Sequence, residues 1–199
     1  MKVFNISPHL SGTRSFASFC GAHGLRVAHW CGPEEEARVQ ARLGELGDHQ
    51  LDFALQTCLW SEFAAYFEAA DVFADFPTPL IYPVPLDLRQ DAKFVLVRRD
   101  TGAWIKSVRR HIGGKPMTFL EWLFYTHITG RSAISIDDYT DQLLADAYEE
   151  YMLMIDIDFA FSRQKLLVVN LGDGDIGERI AAFLNFEKKF GYPWEGCSQ

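Results

Sequence analysis

Short apolar runs of β-favouring residues, separated by stretches of helical periodicity, recur along the whole of this chain. The runs fall at residues 2–6, Arg26–Trp30, Asp71–Phe76, Lys93–Val97 and Leu166–Val169. Strands that are apolar throughout are covered on both faces, and helical connections between them supply the covering layers. The pattern therefore predicts an α/β fold of three layers, α/β/α, around a mainly parallel sheet. With 199 residues, 48% of them hydrophobic, the chain can bury a real core, and it contains no repeat, low-complexity tract or linker. A single domain over residues 1–199 is expected.

Local signals place the connections. After the first strand, Ser11-Gly12-Thr13 breaks the pattern, and Phe16, Phe19, Cys20 and His23 then follow at helical spacing, with Gly24 as a C-cap. Pro33 ahead of Glu34-Glu35-Glu36 opens a helix expected to end near Gly47. Residues 51–69 are helix-rich, and Pro77 and Pro79 stop the third strand. Thr101 is the expected cap of a helix carrying Trp104, Val108 and Ile112. A short helix is expected over Met117–Ile128. A long one over Asp137–Phe161 has the stripe Tyr139, Leu143, Ala147, Tyr151, Met154 and Ile155. Asp175 or a neighbour starts the last helix, with Ile176, Ile180, Phe183 and Leu184.

In such a sheet, ligands sit outside the carboxyl ends of the strands. The Ser11-Gly12-Thr13 turn follows strand one, Asp75 ends strand three and Arg98-Arg99 end strand four, so all three belong to one rim. A strand running into a turn and a helix start presents backbone N–H groups to an anion. Gly12 lets the backbone come close, and Ser11, Thr13, Arg14 and Ser15 add hydroxyls and a cation. Arg99 and Ser107, eight residues apart, offer a guanidinium and a hydroxyl for a second phosphate. The bland readings stand beside these: a plain β–α turn capped by Ser11 or Thr13, and a solvated helix face.

Charge and cysteines narrow the class. A formal net charge of −8 argues against nucleic-acid binding, yet six of the 19 basic residues lie between Arg98 and Lys115, opposed only by Asp100. That concentrated field suits a nucleotide. No apolar run approaches the roughly 20 residues of a membrane span, and the N-terminus lacks a signal peptide's pattern, so no membrane partner and a cytoplasmic location are expected. Cys20, Cys31, Cys58 and Cys197 are irregularly spaced, which predicts reduced thiols and no metal site.

Four segments, in order, carry a resemblance to the nucleotide-dependent sulfotransferases, especially a bacterial-type branch without long insertions. Ser11-Gly12-Thr13-Arg14-Ser15 resembles the family's 5′-phosphosulfate loop. Asp75-Phe76-Pro77 resembles its strand-then-proline segment beside the acceptor pocket. Lys93–Val108 resembles the strand, turn and helix whose arginine and serine bind the 3′-phosphate, roles that fall on Arg99 and Ser107. Lys165–Leu184 resembles the last βα unit. The resemblance implies a P-loop NTPase-like sulfotransferase fold. Its implied activity is transfer of a sulfuryl group from 3′-phosphoadenosine-5′-phosphosulfate (PAPS) to a hydroxyl or amine of a small acceptor, with no metal required.

Departures from the pattern define the alternatives. Leu10 stands where the family carries a Lys or Arg beside the transferred group, with His9 and Arg14 as the nearest replacements; Thr101 replaces a proline; the C-terminal Arg-Lys-Gly element of the animal enzymes is absent. A non-catalytic relative that binds a nucleotide or a partner is the second reading. A small-molecule kinase is the third, but a Walker A loop would set Ser7, Thr13 and Arg14 in place of its glycine, lysine and hydroxyl residue. For a general base the preferred candidate is Asp75, then His9; no segment around His29, His49, His111 or His127 matches the animal histidine motif. Trp60, Phe63, Phe67, Phe73, Trp122 and Tyr125 are candidates for an apolar acceptor pocket, and Pro193 with Trp194 for pinning the tail.

Overall fold

A computed structural model describes residues 1–43, 51–187 and 190–193. Five parallel strands form one sheet: β1 (Lys2–Asn5), β2 (Val27–His29), β3 (Val72–Ala74), β4 (Ala92–Arg98) and β5 (Leu166–Asn170), in the order β2-β3-β1-β4-β5. Each predicted strand is present. The connection after β1 leads to the β2/β3 side and that after β4 leads to the β5 side. Since β1 and β4 are neighbours, a crevice opens between their carboxyl ends.

The two faces of the sheet differ in side-chain size. Register pairs Phe4 with Phe73 on one side and with Phe94 on the other, and the rings stack at 5.3 and 5.5 Å. These phenylalanines, with Leu96, belong to the larger core, into which most of the later helices pack. Val3, Val72, Ala74, Val95 and Val97 face the other way, toward α1 (Thr13–Ala22) and α10 (Ile176–Leu184). Smaller residues there let two helices lie close to the sheet. The architecture is three-layer α/β/α.

On the larger face come α2 (Pro33–Leu43), α3 (Phe53–Glu62), α4 (Ala64–Ala69), α5 (Thr78–Ile81), α6 (Pro83–Leu88), α7 (Thr101–Ile112), α8 (Phe119–Thr129) and α9 (Asp141–Asp158). Pro77 and Pro79 do stop β3, but Pro79 and Pro83 also begin the short helices α5 and α6, where a missing N–H costs nothing. Asp100, not Thr101, caps α7: its carboxylate accepts from the Ala103 amide at 2.8 Å, while Thr101 donates to Glu149 at 2.6 Å. A turn at Ile136–Asp138 delays α9 to Asp141, and its buried stripe is Leu144, Ala147, Tyr148, Tyr151, Met152 and Ile155. Leu143 and Met154 therefore lie one position off the buried face.

The aromatic candidates for an acceptor pocket belong to the core or pack partly buried against it. Phe63, Phe67, Phe73 and Tyr125 are buried, Trp60 stacks on Phe67 at 4.4 Å, and Trp122 donates to Ser132 at 3.1 Å. Cys20 and Cys31 are buried free thiols, each pushed by burial up to about 12, and Cys58 is an exposed free thiol. The expected helix end near Gly47, and His49, Trp194 and Cys197, lie outside the described residues. Among the described residues no helix is long and apolar enough to cross a membrane.

Candidate functional site

The site begins where β1 ends. Leu10 and Gly12 both adopt left-handed backbone, with φ of 66° and 85°, and turn the chain sharply into α1. Gly12 is the N-cap of that helix and no side chain caps it, so neither Ser11 nor Thr13 plays the capping role. The start of α1 thus faces the space before it without a side-chain cap. That space is a cavity of about 110 Å³ lined by His9, Leu10, Gly12, Thr13, Arg14, His29, Asp75, Arg99, Ser107, His111 and Leu171. Ser11 and Ser15 are fully buried and stand outside this wall.

Asp75 organises one side. It follows β3 in a left-handed conformation, φ 63°, and is 5% exposed. One carboxylate oxygen accepts from His9 Nδ1 at 2.7 Å and from the Phe76 amide at 2.9 Å. The other accepts from the Thr13 hydroxyl at 3.1 Å and has His29 Nε2 at 3.6 Å. Thr13 in turn accepts from His29 Nε2 at 3.3 Å. Burial would raise the Asp75 carboxyl, but the charges and hydrogen bonds of His9, then His29 and the Phe76 amide, overcome it and hold the group at about 2.

His9 is fixed on every side but one. Its ring stacks on Phe76 at 5.0 Å with an interplanar angle of 17°, its carbonyl accepts from Trp104 Nε1 at 2.9 Å, and Nδ1 is held by Asp75. Nε2 lies 3.8 Å from Glu121, too far for a hydrogen bond. Burial works against charge on this imidazole, but Asp75 and then Glu121 prevail, and its pKa is raised above 6.5.

Arg99 enters from the end of β4. Its Nη1 donates to the Leu10 carbonyl at 2.9 Å, and its amide and carbonyl both bond the Tyr148 hydroxyl, at 2.8 and 2.9 Å. The guanidinium is therefore brought beside the residue that replaces the expected loop cation. Ser107 lies on the buried face of α7, 3% exposed, and reaches the same cavity. A second cavity of about 670 Å³ shares Arg99 and Leu171 and extends over Asp100, Tyr148, Glu149, Met152, Asn170 and Gly172.

Two other arginines of the basic stretch have structural work. Arg98 pairs with Asp156 at 3.4 Å, and Arg109 pairs with Asp141 at 2.8 Å while bonding the carbonyls of Ile136 and Tyr139. Sequence reasoning sets His29 and His111 aside as bases and does not single out Glu121 or Leu171. His29 ends β2 on the same rim, so the strand-end rule that singled out Asp75 applies to it equally. His111 is four residues beyond Ser107 on one helix face. Glu121 was hidden by its other task, the capping box of α8 with Thr118. No group of three or more metal-ligating side chains is assembled among the described residues.

The sequence profile of the sulfotransferase domain matches residues 2–195, almost the whole chain. The protein belongs to this sulfotransferase family, and its function is sulfotransferase-like. No curated protein matches it.

Proposed function

We propose that the protein transfers a sulfuryl group from PAPS to a hydroxyl or amine of a small acceptor. The observation that carries this reading is the meeting, around one small cavity, of the uncapped α1 turn, the Arg99 guanidinium, the Ser107 hydroxyl and the His9–Asp75 pair. Gly12, Thr13 and Arg14 would hold the 5′-phosphosulfate, with Ser11 and Ser15 shaping the turn from beneath. Arg99 and Ser107 would take the 3′-phosphate, and the adjoining larger cavity suits the nucleoside.

Proton transfer falls to His9 rather than Asp75. A carboxyl held at about 2 and already accepting from three donors is a poor base. His9 has its Nδ1–H fixed by that carboxylate, which orients the ring and strengthens Nε2 as a base. In the step, Nε2 accepts the acceptor's proton as the acceptor oxygen or nitrogen bonds to sulfur. The bond from sulfur to the bridging oxygen breaks, and its electron pair leaves on the 5′-phosphate. Products are the sulfated acceptor and adenosine 3′,5′-bisphosphate. Arg99, tied to the Leu10 carbonyl while it takes the 3′-phosphate, also lends the loop positive field that the Leu10 side chain lacks.

Release of adenosine 3′,5′-bisphosphate from PAPS in the presence of an acceptor panel tests the assignment, with His9→Gln as the inactive control. A second reading, a nucleotide-binding relative without catalysis, is favoured by Leu10 alone. Tight bisphosphate binding with no turnover on any acceptor would select it.

A further inference from the structure

His111 lies one helical turn beyond Ser107 on α7, at the rim of the same cavity as Arg99. Its Nδ1 donates to the Ser107 carbonyl at 2.8 Å, which fixes the tautomer and leaves Nε2 for another partner. Three neighbouring cations already have partners: Arg98 pairs with Asp156, Arg109 with Asp141, and Arg99 donates in part to the Leu10 carbonyl. With Arg14 assigned to the 5′-phosphosulfate, a second phosphate in this cavity would meet Arg99, a guanidinium already sharing its donors.

Carboxylates around α7 are likewise occupied. Asp75, across the cavity, is held by His9 and Thr13; in the turn packed against α7, Asp137 accepts from the Gly114 amide and Asp138 from the Ser135 amide; in α9, Asp141 accepts from Arg109. The charged or titratable groups sharing the cavity with His111 are His9, Arg14, His29, Asp75 and Arg99. No carboxylate forms an ion pair with His111 among the described residues. An arriving dianion is the group placed to favour a proton taken up there from solvent.

We propose that His111 is a binding residue for the nucleotide's 3′-phosphate, taking a proton from solvent as the phosphate arrives and donating Nε2–H to it. This rests on the nucleotide reading above and adds a residue and a proton to it. Calorimetric titration in two buffers of different ionisation enthalpy, with adenosine 3′,5′-bisphosphate and with adenosine 5′-monophosphate, reads both affinity and proton uptake. The wild type should take up protons with the bisphosphate and not with the monophosphate. His111→Gln should bind the bisphosphate about tenfold to a hundredfold more weakly, the factor one charge-assisted hydrogen bond carries. It should leave the monophosphate unchanged and abolish the uptake. His111→Lys, with a permanent charge, should restore affinity without uptake. Equal affinity in wild type and His111→Gln, an equal loss for both nucleotides, or uptake that persists in His111→Gln would overturn the proposal alone. Failure of the wild type to bind the bisphosphate would overturn the nucleotide reading and this proposal together.

Discussion

In the proposed reaction, Asp75 acts through what it holds. Replacing it with asparagine keeps the shape but removes the charge that fixes the His9 tautomer, and kcat should fall by on the order of 10²–10⁴. Because Asp75 and Glu121 raise the His9 pKa, kcat/KM should climb with pH through an apparent pKa above 6.5, and Asp75→Asn should move that limb downward. A profile indifferent to Asp75→Asn would contradict His9 as the base. The same pair sets an acid limit on stability. Asp75 titrates lower when folded than unfolded, so its contribution is present above about pH 4. It should be lost as pH falls toward about 2, and less so in Asp75→Asn, as thermal midpoints would show. Leu10→Lys tests where the loop's charge arises. If Arg99 already supplies it, kcat should change by less than about tenfold, whereas a gain of about a hundredfold would show the cation to be missing.

Elements fix where these groups meet. A Cβ on Gly12 would come within 2.8 Å of Leu171 Cδ1 and would sit at φ 85°. Gly12→Ala should cost about 1–2 kcal/mol of stability and weaken anion binding with it. Arg109 belongs to the basic stretch by sequence and to the scaffold by contact. Arg109→Ala should lower the thermal midpoint, by loosening the Ile136–Asp141 segment, with nucleotide affinity unchanged. The strands, the rim and the residues at strand ends were legible because apolar runs and turn breakers are local signals. Less legible were the choices made by packing. Asp100 outcompetes Thr101 as the α7 cap because Thr101 is drawn to Glu149 across to α9, and the buried stripe of α9 shifts because the Ile136–Asp138 turn resets its phase. In the site, the His9–Asp75 pair joins residues 66 apart, a separation that no spacing rule reports.

For the whole molecule, the strand order places the end of β1 beside the end of β4, and the charge distribution follows that seam. An acidic protein gathers Arg14, Arg99 and three histidines around one cavity whose single carboxylate is already hydrogen-bonded. The fold alone serves many chemistries, so the choice between sulfuryl transfer and phosphoryl transfer rests on this site. Calorimetry with adenosine 3′,5′-bisphosphate in the absence of magnesium, with ATP and magnesium run alongside, addresses that choice most directly. The account predicts micromolar binding of the bisphosphate, weakened at least about tenfold by Arg99→Ala, and much weaker binding of ATP. Tight ATP binding that requires magnesium, with the bisphosphate bound weakly or not at all, would contradict it.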